Sequence, residues 1–167
     1  MARHPHEPRV PRSAALSVLT VSDTRTPDDD ASGRLVHSLL EAAGHRVVAY
    51  RVLPDEPEVI VGCVKQWLER DDCDAILVSG GTGIAPRDRT YEALSGLLDQ
   101  RLDGFGELFR MLSYEQVGSR AMLSRALGGI ARGKPLFSLP GSPAAVRLAL
   151  EKLILPELGH LLSQLET

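Results

Sequence analysis

Little in this sequence is present in excess, and each scarcity removes a class of protein. Only two of its 167 residues are cysteines, Cys63 and Cys73. They form no C-x-x-C pair and have no histidine cluster beside them, so neither a zinc site nor a disulfide framework is supported and a reducing compartment is expected. Cys63 falls on the apolar face of an expected helix and reads as a small core residue. The five histidines, His4, His6, His37, His45 and His160, have no evident partners, so no catalytic role is assigned to them. No apolar run approaches the roughly 18 residues of a membrane span. Residues 1–13 carry Arg3, Arg9 and Arg12 with three prolines but lack the apolar stretch of a signal peptide. They read as a flexible arm on a soluble, cytoplasmic protein. Basic charge is not in surplus either. Nineteen Lys and Arg against 22 Asp and Glu leave a net charge of −3, without the basic footprint expected of a nucleic-acid binder.

What is present is ordinary globular material, 43% hydrophobic and 25% charged. The length suits one domain, taken as residues 14–167. Residues 14–21 are short, apolar and β-branched and predict a buried strand, and residues 45–53, 75–79 and 134–139 predict three more. Between them lie helical patterns. Leu35, Val36, Leu39 and Leu40 follow Ser32 as the expected cap, and Ile60, Cys63, Val64, Trp67 and Leu68 form one continuous stripe. Further helices are expected at about 90–98 and 104–117, and over 144–165 with a break at Pro156. Strands alternating with helices imply crossovers and a mainly parallel sheet covered on both faces, a three-layer α/β/α sandwich.

Four polar loops follow the four expected strands: residues 22–25, 54–57, 80–83 and 140–143. In open α/β sheets ligands bind beyond the carboxyl ends of the strands, so these loops share the edge where a ligand would sit. In Gly80-Gly81-Thr82-Gly83 three glycines free the backbone for positive φ and leave N–H groups available to an anion. The loop matches neither the dinucleotide fingerprint nor the Walker loop: Pro86 stands where the former needs glycine, and Gly133-Lys134 runs into Pro135. Asp88, between Arg87 and Arg89, suits a hard oxygen ligand for Mg²⁺ or, alternatively, a cap for the next helix. Asp55 and Glu58 have the spacing of a capping box, which does not exclude a second role for Asp55. Ser22 and Asp23 are explained equally well by a turn or by a site. Arg120 and Arg125 offer guanidinium forks suited to phosphate oxygens.

Together these segments resemble the MoaB/Mog family of molybdenum cofactor biosynthesis proteins. The resemblance rests on Thr20-Val21-Ser22-Asp23-Thr24-Arg25, Ser79-Gly80-Gly81-Thr82-Gly83, Arg87-Asp88-Arg89-Thr90, Gly104-Phe105-Gly106-Glu107-Leu108-Phe109-Arg110, Leu123-Ser124-Arg125-Ala126 and Leu139-Pro140-Gly141-Ser142-Pro143. It extends from Leu16 to about Leu162 and is closest to the MoaB branch. The resemblance implies a protein that binds molybdopterin and transfers AMP from Mg-ATP to its terminal phosphate, assembled as a homotrimer or homohexamer, with a molybdenum-insertion protein as possible recipient. It puts Asp55 and Asp88 at the catalytic, metal-holding positions, and Ser22, Asp23, Gly80, Gly81, Thr82, Gly83, Arg87, Ser124, Arg125, Gly141 and Ser142 around the substrates. Phosphoryl-type transfer needs carboxylates, backbone donors and cations more than a protein nucleophile, and this chain offers that inventory. It departs from the family's Arg-Asp-Val-Thr-Pro-Glu pattern, with Arg89 and Tyr91 at the valine and proline positions. Two other functions stay open: a carrier that binds molybdopterin without turnover, and an unrelated nucleotide-dependent oxidoreductase, which the missing dinucleotide fingerprint disfavours.

Overall fold

A computed structural model describes residues 12–166. The first eleven residues of the expected arm lie outside that range. At its end Arg12 pairs with Asp74 at 3.1 Å and with Glu166.

Six strands form one sheet: β1 (Ala15–Val21), β2 (Arg46–Leu53), β3 (Ala75–Ser79), β4 (Gln100–Arg101), β5 (Leu127–Ala131) and β6 (Lys134–Leu139), ordered β2-β1-β3-β6-β5-β4. The four strands read from the sequence, β1, β2, β3 and β6, pair in parallel, whereas β4 and β5 extend the sheet antiparallel. The sheet is therefore mixed but mostly parallel, and two strands escaped the sequence reading. β5 turns into β6 through Arg132 and Gly133, both at positive φ (48° and 76°), the backbone that a two-residue hairpin requires.

Alternation along the strands divides the interior into two cores. Leu16, Val18, Ala75, Leu77, Phe137 and Leu139 point to one face, where Val36 and Leu40 of α1 (Ala31–Ala42), Phe105 and Phe109 of α4 (Asp103–Val117), Val146 of α5 (Pro143–Ala149) and Leu158 of α6 (Leu155–Leu165) cover them. Leu19, Val21, Ile76, Val78 and Leu136 point to the other face, under Ile60, Cys63, Val64 and Trp67 of α2 (Pro57–Leu68) and Leu94 of α3 (Thr90–Ser95). The three-layer α/β/α expectation holds, and the stripe read along α2 is the buried one. Full burial of one such aliphatic side chain contributes about 1.5–3 kcal/mol.

Helix boundaries correct the sequence reading in three places. α1 is capped by Asp30, whose carboxylate accepts from Gly33 N at 3.0 Å, and not by Ser32. The hydroxyl of Ser32 is used elsewhere, donating to Gly141 O at 2.7 Å. Asp55 caps nothing on α2, where the cap position is Glu56 without a side-chain bond. The break in the last helix is a π-turn over Leu150–Ile154, just ahead of Pro156, after which the helix continues to Leu165. Among the described residues no helix is long and apolar enough to cross a membrane.

Candidate functional site

Because β1, β2, β3 and β6 run parallel, the loops that follow them converge on one edge of the sheet. Side chains and backbone join all four loops there. Asp23 Oδ1 accepts from Asp55 N at 3.0 Å, linking the loops after β1 and β2. Gly80 takes φ +101°, its N–H donates to Leu139 O at 2.9 Å, and a Cβ on it would fall 2.2 Å from Val21 O. A Cβ on Gly141 would lie 3.2 Å from the Cα of Gly80, so the loops after β3 and β6 are in contact.

The acidic residues cluster on the α2/α3 side of the glycine loop. Asp55 is only 5% exposed. Its carboxylate accepts from Thr90 Oγ1 at 3.2 Å and from Arg89 N at 3.4 Å. Gly81, at φ +64°, makes room for this pair: a Cβ there would lie 1.9 Å from Thr90 Oγ1 and 2.6 Å from Asp55 Oδ2. Burial raises the pKa of Asp55. The Arg89 N–H and Thr90 hydroxyl work against that shift, and the charges of Asp88 and Asp23 add to it. No cation is paired with Asp55 among the described residues.

Asp23 has the opposite environment. It is exposed and takes a two-pronged bond from Arg87, Nε to Oδ2 at 3.0 Å and Nη2 to Oδ1 at 3.1 Å. That bond, aided by the Asp55 N–H, lowers its pKa. Arg87 also reaches Glu56 at 2.9 Å and is held firmly in its charged form. Asp88 Oδ2 accepts from Ala85 N at 3.1 Å and lies against Gly83, where a Cβ would be 2.5 Å away. Asp88 thus closes its own loop and does not cap α3, whose cap position is Arg89. Its Oδ1 has no protein partner among the described residues.

Arg125 behaves differently from the expectation of a substrate-facing cation. Its donors go to carbonyl oxygens of the loop: Nε to Thr82 O at 3.4 Å, and Nη2 to Gly83 O at 2.5 Å and Asp88 O at 2.8 Å. Nη1 pairs with Glu92. By contrast, the N–H groups of Gly81, Thr82, Gly83 and Ile84 have no protein hydrogen-bond partner among the described residues. Consecutive free amides in a turn with positive-φ glycines are the kind of backbone arrangement to which anions bind.

The other expected residues serve backbone. Ser22 Oγ accepts from Arg25 N at 3.1 Å, Ser142 Oγ caps α5 by accepting from Ala145 N at 3.2 Å, and Ser124 Oγ accepts from Ala126 N at 3.4 Å. The structure thus brings Asp23, Asp55, Arg87, Asp88 and residues 80–83 together, with Arg125 behind them. Ser124 and Ser142 contribute no side-chain contact to that group. Two residues that the sequence reading quoted within motifs but gave no role also contribute: Thr90, which donates to Asp55, and Arg25, which donates to Ser32 Oγ at 3.4 Å and Gly141 O at 3.3 Å. Arg89 is exposed, and its side chain makes no hydrogen bond or ion pair among the described residues.

Residues 17–160 match the family described as "Probable molybdopterin binding domain". The chain belongs to the MoaB branch of the MoaB/Mog family of molybdenum cofactor biosynthesis proteins. It is 52% identical over 161 residues to molybdenum cofactor biosynthesis protein B of Bacillus cereus, covering 96% of this chain and 95% of the relative. A crystal structure of a molybdenum cofactor biosynthesis protein B superimposes with a TM-score of 0.92 at 52% identity, over 95% of this chain and 99% of that one. The tungsten cofactor synthesizing protein MoaB from Pyrococcus furiosus follows at TM-score 0.85 and 36% identity, over 95% and 100%. The resemblance read from the sequence motifs is therefore borne out at the level of family, branch and fold.

Proposed function

We propose that this MoaB-branch protein binds molybdopterin at the strand-end loops and transfers AMP to its terminal phosphate from Mg-ATP. The observation that carries this reading is the row of free amides over Gly81–Ile84 beside two unequal carboxylates, Asp55 buried without a cation and Asp88 with one oxygen unbonded. An oxygen of the molybdopterin phosphate attacks the α-phosphorus of ATP, the bond from that phosphorus to the bridging oxygen breaks, and pyrophosphate leaves with the bond's electrons. The protein's part is positioning and charge neutralisation, as in phosphoryl transfer generally. The loop amides take phosphate oxygens, and Arg87 keeps Asp23 and Glu56 neutralised at the rim.

The donor set fits Mg²⁺. The ion needs only one or two carboxylates, with water and phosphate oxygens completing its shell. Asp88 would supply Oδ1, with Asp55 the second candidate ligand, since a cation beside it would relieve its uncompensated charge. Among the described residues no group of three or more His, Cys, Asp or Glu is arranged to hold a metal alone. Mg²⁺ supplies charge neutralisation of the phosphates. Assembly as a homotrimer or homohexamer in the cytoplasm, and delivery of product to a molybdenum-insertion protein, belong to the same reading.

The test is pyrophosphate release from a mixture of the protein, molybdopterin, Mg²⁺ and ATP. Release dependent on all four is expected. Molybdopterin binding with no pyrophosphate would leave a carrier and reject the transferase.

A further inference from the structure

Arg125 is the most heavily engaged side chain of the site, yet its donors are turned toward the protein's own carbonyls. Two neighbours on the first turn of α3 touch its guanidinium. Glu92 pairs with one end of the guanidinium, whose Cζ lies over the ring of Tyr91, 5.1 Å from its centroid. The ring is tied in turn to β4, where the Arg101 guanidinium also lies over it, 5.9 Å from the centroid. Arg101 of β4 donates to the Tyr91 hydroxyl at 2.9 Å and is itself bonded to Ser95 Oγ at 2.9 Å.

The consequence follows from peptide geometry. In a trans peptide the N–H points opposite the preceding carbonyl, and every described peptide here is trans. Because Thr82 O, Gly83 O and Asp88 O all face Arg125, the N–H groups of Gly83, Ile84 and Arg89 face the other way. The Arg89 N–H demonstrates the orientation, since it reaches Asp55. Those of Gly83 and Ile84 are free.

We propose that Tyr91 is a positioning residue for the anion cradle: it holds the donor edge of Arg125 on the loop carbonyls, and so sets the direction of the loop amides that receive phosphate. The aromatic face supplies the attraction for the guanidinium, and the hydroxyl contributes only the tie to Arg101. The proposal deepens the phosphate-cradle reading given above and rests on it.

The test uses the full chain with inorganic pyrophosphate as probe, in Tyr91→Leu and Tyr91→Phe. Leucine keeps apolar volume but removes the aromatic face, and phenylalanine keeps the face. Two quantities are read: pyrophosphate affinity by calorimetry, and exchange of the Ala85 and Arg89 amides, whose bonds to Asp88 and Asp55 hold the loop. Tyr91→Leu is expected to weaken pyrophosphate binding about tenfold and to speed both amides similarly, with the core amide of Leu77 unchanged and Tyr91→Phe within about twofold of the parent. Parent-like values in Tyr91→Leu would overturn the proposal. So would equal acceleration at Leu77, which would reduce Tyr91 to packing. If the parent itself does not bind pyrophosphate, the cradle reading falls, and the exchange comparison still decides the orientation role of Tyr91.

Discussion

Two buried aspartates stand at the same edge of the sheet and have opposite fates. Asp30, fully buried on the α1 side, caps Gly33 N, accepts from the Tyr50 hydroxyl at 2.6 Å and has Arg25 at 3.8 Å. Burial alone would raise its pKa, but the Tyr50 hydroxyl, the Gly33 N–H and the charge of Arg25 work against burial, and the pKa is lowered. Asp55, on the α3 side, is nearly as buried, has one hydroxyl and one long amide contact, and is flanked by two further carboxylates, so its pKa is raised. A carboxylate that is fully compensated is part of the scaffold. One left short of compensation beside a row of free amides is where the proposed function places the incoming cation.

The comparison predicts substitutions of opposite sign. Asp30→Ala strips the α1 cap and leaves Tyr50 and Gly33 without their acceptor, at a cost of about 3 kcal/mol. For a chain of this size that lowers Tm by roughly 6–12 °C, readable by calorimetry. Because the folded pKa of Asp30 lies below 3.8, its contribution is present above that pH and is lost as pH falls through the folded value. The difference between parent and variant should therefore shrink only in strong acid. Asp55→Asn should do the reverse and raise Tm at neutral pH while removing turnover. The asparagine still accepts from Thr90 without the uncompensated charge, and such trades of stability against activity are common at functional sites. The folded pKa of Asp55 lies above its ordinary value, so ionisation disfavours the fold. The gain of Asp55→Asn should thus grow as pH rises from the ordinary carboxyl value of 3.8 through the folded pKa, and vanish below 3.8. A lower Tm for Asp55→Asn at neutral pH would erase the distinction between the two aspartates.

How much of this was legible in the sequence depended on whether a signal was local. The four parallel strands, of which β1, β3 and β6 are buried, and the loops after them could be read from apolar runs and turn residues. β5 could not, because Gly128 and Gly129 inside Leu127–Ala131 resemble a break. They are there for close approach: a Cβ on Gly128 would meet the ring of Phe105 at 2.9 Å, and one on Gly129 would meet Gln100 O at 2.5 Å. The two residues of β4 carry no period at all. Within the site, the residue types were visible but the wiring was not. Thr90 meets Asp55 across 35 residues of chain, and Arg125 meets Thr82 across 43. A guanidinium that braces a loop and one that grips a ligand look the same until the fold places their partners.

Asp88→Asn in the pyrophosphate-release assay bears most directly on the assignment of this site to adenylyl transfer. The substituted amide would retain the bond from Ala85 N through its carbonyl oxygen but would no longer offer a charged oxygen to Mg²⁺. Turnover is expected to fall at least about a hundredfold, with the Tm and the affinity for molybdopterin close to those of the parent. A variant that releases pyrophosphate at the parental rate would contradict that assignment.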